Sequence, residues 1–271
     1  MLLRGDRSIL SLSHGWLTAL HPDPHGTTLA AVRRFLLFDT AAAGEAGLFW
    51  DFASLPQRGP NGEARTEEEK RIFNRGLEVM GSFYASVTGT SVIQQRDMVL
   101  PPGALTGVGA YNPTPYEGDG GRGWCIFEQG TAMTVLAHLT AAERQAAEKG
   151  KALPERFRKA QAARAKVYDI GGAAPMARES SLSPREVLDE ACRAIEKAKF
   201  TGKADQVMVP QMLAEFEWVF RSTFERALED HAASGATIRR EQQQAVLARL
   251  SEREGANGRS VGSGVELLEA G

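Results

Sequence analysis

The chain has 271 residues, 42% of them hydrophobic and 24% charged, with a formal net charge of −2. That balance suits a soluble chain of one sizeable domain with additions, or of two small ones, and it excludes an overall field that would draw the protein onto nucleic acid or an anionic membrane. No run approaches the roughly 18 apolar residues needed to span a bilayer. Arg4, Asp6 and Arg7 interrupt the apolar start so that no export signal is visible, and the cytoplasm is the expected compartment. Cys125 and Cys192 are too far apart in sequence for a disulfide framework or a CxxC metal pair, so reduced thiols are expected.

In chain order, Ser8-Ile9-Leu10-Ser11-Leu12-Ser13 alternates partly and reads as a first strand, followed by His14-Gly15-Trp16 and a proline-rich loop, His21-Pro22-Asp23-Pro24-His25-Gly26. Thr27 or Thr28 is positioned to cap a helix carrying Leu29, Val32, Phe35 and Leu36 at helical spacing. Gly47 to Leu55 is a short, aromatic, nearly continuous apolar run that predicts a strand covered on both faces, interrupted by Asp51 and stopped by Pro56. Thr66-Glu67-Glu68-Glu69 matches a capping box ahead of Ile72, Phe73, Leu77, Met80 and Tyr84. Ser91-Val92-Ile93 gives a third, weaker strand. Residues 98 to 123, rich in proline and glycine, read as a long loop of the kind that is functional or disordered in compact domains.

That loop ends in Gly118-Asp119-Gly120-Gly121-Arg122-Gly123-Trp124-Cys125-Ile126-Phe127-Glu128 and runs into Met133, Val135, Leu136 and Leu139, whose three- and four-residue steps predict a buried helix with Glu128 in its first turns. Free backbone N–H groups at such an end tolerate a carboxylate or a ligand phosphate. The order strand, helix, strand, helix, strand, helix predicts an α/β domain with a parallel sheet and its site at the carboxyl ends of the strands. Beyond it, residues 141–238 read as a mostly helical extension packed on the first domain. Val167 to Ile170 is open to reading as a fourth strand, Ser183-Pro184-Arg185-Glu186 starts a helix, and another carries Met212, Leu213, Phe216, Val219, Phe220, Phe224 and Leu228. Residues 239–271 read as a polar helix and mobile tail.

Three segments in order, Ser13-His14-Gly15-Trp16, Phe49-Trp50-Asp51-Phe52-Ala53-Ser54-Leu55-Pro56-Gln57 and Arg122-Gly123-Trp124-Cys125-Ile126-Phe127-Glu128, resemble the TIR-like superfamily and, within it, the heterokaryon-incompatibility-like branch. The resemblance covers roughly residues 1–140, with Ala53-Ser54 standing where that branch carries a cysteine-containing stretch. It implies a flavodoxin-like sheet flanked by helices and, in many relatives, hydrolysis of the nicotinamide glycosidic bond of NAD(+), with Glu128 at the position of the catalytic acid. NAD or a related nucleotide is then substrate or ligand rather than cofactor, and self-association into a homo-oligomer is expected.

The chemistry agrees with one acid. Cleaving ribose from a cationic nicotinamide passes through an oxocarbenium-like centre that a carboxylate stabilises, and nicotinamide leaves neutral, so no general acid is obligatory. Glu128 is equally open to reading as a first-turn acid favoured by the helix dipole. Asp51 either lines the site or is paired within the strand. His14 is a ligand contact or a loop-bound histidine, with Ser13 and Trp16 beside it; Gln57 contacts ligand or orders its loop. Trp124 stacks on a ligand or anchors the core, and Arg122 with the glycines cradles a phosphate or marks a hinge. His21, Asp23 and His25 offer only a poor metal set, because Pro22 and Pro24 prevent helical presentation, and no metal is expected. A NAD(+) glycohydrolase and a non-catalytic nucleotide-sensing or self-associating module are the two functions these residues leave open.

Overall fold

The computed structural model describes residues 5–18, 21–38, 46–59, 62–96, 114–117, 120–172, 174–200 and 202–229. Most of the loop expected over 98–123, including Gly118 and Asp119, and the whole tail 239–271 lie outside them. In order, the elements are β1 (Ile9–His14), α1 (Thr27–Phe38), β2 (Gly47–Phe49), α2 (Asp51–Ser54), α3 (Glu67–Ala85), β3 (Thr90–Gln95), α4 (Gly123–Glu148), α5 (Glu155–Ala163), β4 (Val167–Ile170), β5 (Met176–Ala177), α6 (Pro184–Glu196) and α7 (Lys203–Glu229). The sheet runs β2-β1-β3-β4-β5. Its first four strands are parallel. β5, a strand the sequence did not suggest, is antiparallel to β4 and makes the sheet mixed, mostly parallel. The reason is the connection: only a short turn through Gly171, at φ 109°, links them, whereas a parallel neighbour needs a crossover of about a dozen residues or more.

Alternation along the strands sorts side chains to two faces. Leu10, Leu12, Ile93 and Ile170 meet Ala31, Val32 and Phe35 of α1 on one face. On the other, Val92 and Val167 meet Met80 and Tyr84 of α3 and Ala132, Met133 and Ala137 of α4. α6 and the start of α7 then cover the outer side of α4, where Leu188, Ala191, Ile195, Val209 and Leu213 pack on Ile126 and Phe127. Between sheet and outer helices, α4 is buried on nearly every side over its first five turns, which explains its lack of a polar stripe.

Several local expectations are revised. α1 is capped by Asp23 rather than by Thr27 or Thr28: Asp23 Oδ2 accepts from the Leu29 backbone N–H at 2.8 Å and Oδ1 from the Thr27 hydroxyl at 3.1 Å. Leu29 and Leu36 face outward. The strand expected over Gly47 to Leu55 stops at Phe49, and the chain turns into α2 with Asp51 as its first residue. The strand read as weak is the sheet's central one, with all six residues of β3 buried. The capping boxes at Thr66 and Ser183 both form, each with its acid at the third helical position. The boundary expected near residue 140 coincides with no break, because α4 runs on to Glu148 and β4 and β5 join the same sheet. By its contacts the chain divides into the units Met1–Phe220 and Arg221–Gly271, and the sheet lies wholly in the first.

At the amino edge of the sheet, Lys166 Nζ donates to the Ser86 carbonyl at 2.7 Å, the Thr90 carbonyl at 3.2 Å and Thr90 Oγ1 at 3.1 Å. Arg7 donates to the Val87 and Arg164 carbonyls. These side chains satisfy carbonyls just beyond the C-termini of α3 and α5, which no helical N–H reaches. A cleft of about 330 Å³ lies beside them, lined in part by Arg7, Leu136, Glu143 and Lys166. The Lys166 amine is engaged by the backbone and Thr90, which makes that side chain part of the scaffold, and burial, with Arg7 nearby, pulls its pKa well down. Among the described residues no helix is long and apolar enough to cross a membrane.

Candidate functional site

Chain order reverses between β1 and β3, and in open α/β sheets the carboxyl end of such a reversal forms a crevice. Glu128 reaches this point from the second turn of α4. Ser13, the penultimate residue of β1, donates from Oγ to Glu128 Oε2 at 2.7 Å, and its Oγ also lies 2.8 Å from the Tyr116 hydroxyl. Tyr84 of α3 approaches the same carboxyl and donates its own O–H to the Leu12 carbonyl at 3.0 Å. Glu128 is only 6% exposed. Burial, and then the negative charge of Asp51, push its pKa up to about 8, against the pull of Ser13 and Tyr84. The carboxyl is therefore predominantly neutral at pH 7. It does not cap its helix: the N-terminal groups of α4 are several residues away, and the Gly123 N–H donates to the Lys199 carbonyl at 3.1 Å.

His14 closes β1. Burial holds its pKa down, opposed by Asp51 and Asp23. The Trp50 indole N–H donates to its Nε2 at 3.2 Å, which puts the proton of the neutral ring on Nδ1. Trp50 meets the imidazole edge-on, and Phe52 touches both Trp50 and Trp16. Asp51 Oδ1 accepts from the Phe52 N–H at 2.7 Å, and Oδ2 lies 3.4 Å from the Trp16 indole nitrogen. Asp51 thus sits on a helix start among aromatic rings rather than within a strand. Gln57 donates to the Leu55 carbonyl at 2.9 Å and to that of Asp51 at 3.4 Å, ordering the turn that presents Asp51.

The α4 entry is pinned on its outer side. Gly121 and Gly123 pair with Lys199 through backbone hydrogen bonds of 2.7 and 3.1 Å. A side chain at Gly123 would overlap the Phe200 ring. Trp124 donates to Asp205 Oδ2 at 3.2 Å and packs edge-on against Phe127, so it is built into the core between α4 and α7. Arg122 is the residue before α4, in extended backbone, and its N–H donates to the Pro115 carbonyl at 2.8 Å. Cys125 donates its thiol proton to the His14 carbonyl at 3.3 Å, and burial pushes its pKa well up. His21 and Asp23 are engaged with their own loop, His21 Nδ1 accepting from the Asp23 N–H at 3.0 Å.

Ser13, His14, Asp51 and Glu128 therefore converge at one sheet edge with Trp16 and Gln57, whereas Trp124 faces α7 and Arg122 holds the Tyr116 turn through its backbone N–H. The sequence reading missed Tyr116, whose loop has no periodicity to mark it, and Tyr84, which it took only for the end of an apolar stripe. It also missed Arg178, which donates to Gln94 Oε1 at 3.0 Å and Gln129 Oε1 at 3.2 Å and ties β3 to α4 beside Glu128. Chemically the cluster holds one carboxyl whose charge state is adjustable near neutrality, a hydroxyl donor fixed on it, and aromatic faces close by. Among the described residues no group of three or more histidine, cysteine or acidic side chains is placed to hold a metal ion. Comparison with family models, with curated proteins and with solved structures returned no match for this chain.

Proposed function

We propose that this chain cleaves the nicotinamide–ribose bond of NAD(+) or a related nucleotide, with Glu128 as the charge opposite the developing oxocarbenium centre. The observation that carries the reading is the Ser13–Glu128 pair, a carboxyl held at 2.7 Å by a strand-end hydroxyl at the carboxyl edge between β1 and β3. The strand order supports a flavodoxin-like, TIR-like assignment of the domain. A cationic substrate would itself favour the ionised carboxyl, since a positive charge within a few ångströms lowers an acid's pKa. Burial would then strengthen the attraction between that carboxylate and the ribosyl cation. Ser13 would keep the carboxylate oriented, and Trp16, Trp50 and Phe52 offer flat faces for the departing base.

The test is nicotinamide release from NAD(+) by purified protein at low and high concentration, with Glu128→Gln alongside. Release that disappears in the variant supports the reading, and a steeper than linear dependence on protein concentration supports completion of the site by self-association. Release unchanged in Glu128→Gln overturns it.

A second reading is favoured by one specific observation, the burial of Glu128, which pushes its pKa up toward the neutral form. A non-catalytic nucleotide-sensing or self-associating module needs no exposed charge. Nucleotide binding or oligomerisation with no turnover at any protein concentration would select it.

A further inference from the structure

We propose that Tyr116, which no sequence motif marks, is a positioning residue for Glu128 and acts through Ser13. The inference rests on the reading of Glu128 as the functional acid, but its test does not depend on turnover.

The argument is one of hydrogen-bond direction. An ionised carboxylate only accepts, so Ser13, with a single hydroxyl proton, must donate to it across the 2.7 Å contact. Ser13 Oγ is then left with lone pairs alone, and the 2.8 Å contact to Tyr116 requires the phenol to donate. Burial holds the Tyr116 proton firmly on the ring oxygen, as a donor needs. The chain Tyr116, Ser13, Glu128 thus has one direction when the acid is charged, and each bond polarises the next. Tyr84, which donates its O–H to the Leu12 carbonyl, acts on the carboxyl directly and not through Ser13. Tyr116 is itself set by α4: its turn is fixed by the Arg122 N–H on the Pro115 carbonyl, and Gly121 leaves no room for a side chain beneath the Glu117 carbonyl.

Other groups face the acid or its relay from each packed element. Asp51 of α2 opposes ionisation, Tyr84 of α3 favours it, Cys125 of α4 keeps its thiol proton, His14 of β1 is held toward neutrality, Arg122 and Arg96 act on Cys125 and Tyr116, and Arg178, bonded to Gln94 and Gln129, also faces Tyr116. Among these, Tyr116 alone reaches the carboxyl through a hydrogen-bonded relay.

The experiment follows the carbonyl stretch of the protonated Glu128 carboxyl against pH by infrared difference between each protein and its Glu128→Gln counterpart. Tyr116→Phe keeps the ring and should move the midpoint up by about one pH unit. Ser13→Ala should move it further, and Tyr116→Phe added to Ser13→Ala should add nothing. A midpoint unmoved in Tyr116→Phe, or a shift that persists in the Ser13→Ala background, overturns the inference. Nicotinamide release separates this from the parent reading. Midpoints that shift as stated with no turnover sink the nucleosidase and leave Tyr116 in its role, while turnover with unmoved midpoints does the reverse.

Discussion

At Glu128 two effects of one substitution point in different directions. Glu128→Gln removes the charge proposed to face the oxocarbenium and should lower turnover by about 10²–10³, the usual loss for one preorganised electrostatic group. Stability should change the other way. The folded acid titrates at about 8 against 4.5 for the unconstrained group, so between those values the native state holds a proton that the unfolded chain has released. Parent stability therefore falls as pH rises from about 4.5 to 8, by an amount on the order of 3–5 kcal/mol in total. Glutamine cannot ionise and escapes this loss. Calorimetric melting should show the variant close to the parent near pH 5 and clearly more stable near pH 9; equal melting at both values would mean that the acid is not held neutral. The sequence made Ser13 and Glu128 candidates but could not reveal the charge state, which depends on a surrounding shell drawn from β1, α2, α3 and the turn at Tyr116.

Among the elements, α4 and α6 pack closely in the brace behind the site. A Cβ at Gly130 would lie 2.6 Å from the Ala191 Cβ. Alanine is worth about 1 kcal/mol over glycine within a helix, yet overpacking costs about 1–3 kcal/mol. Gly130→Ala should therefore destabilise or at best break even, and Ala191→Gly on top of it should relieve the contact but give up a similar propensity in α6, returning the pair to about the parent's stability. Urea unfolding of both variants checks this, and a single variant stabilised by the full propensity term would show that the helices separate freely. Elements with chemical punctuation were legible: both capping boxes marked helix starts to the residue, and the steps through Ile126 and Leu139 marked α4. α2 was not, because a four-residue helix carries no periodicity and its aromatic surroundings imitate a buried strand. β3 was undervalued for the opposite reason, since its polar Ser91, Gln94 and Gln95 are buried and masked its central place.

Across the whole molecule, composition changes at residue 140 while α4 and the sheet run on past it. The helices after it complete the shell of α4: Val209 and Leu213 are fully buried in the cluster that holds Ile126 and Phe127. Ending the chain before Lys203 removes both, at roughly 1.5–3 kcal/mol each, and should lower the melting temperature by about 10–20 °C or cause aggregation. A truncated protein as soluble and heat-stable as the parent would refute this. The layering of α4 between sheet and outer helices also has a kinetic consequence. Segments open locally where few apolar contacts hold them, and a helix covered on all sides has no low-energy route to fray. Amide hydrogens from Phe127 to Val135 should thus exchange with solvent only when the unit containing the sheet unfolds as a whole, at a rate set by its global stability, whereas those on the exposed side of α1 should exchange orders of magnitude sooner. Mass-resolved exchange that found the two segments equally fast would mean that the acid rides on a loose helix. With the slow regime, Glu128 keeps its place through many cycles of ligand arrival and departure, and any motion that admits a ligand must come from what surrounds the helix.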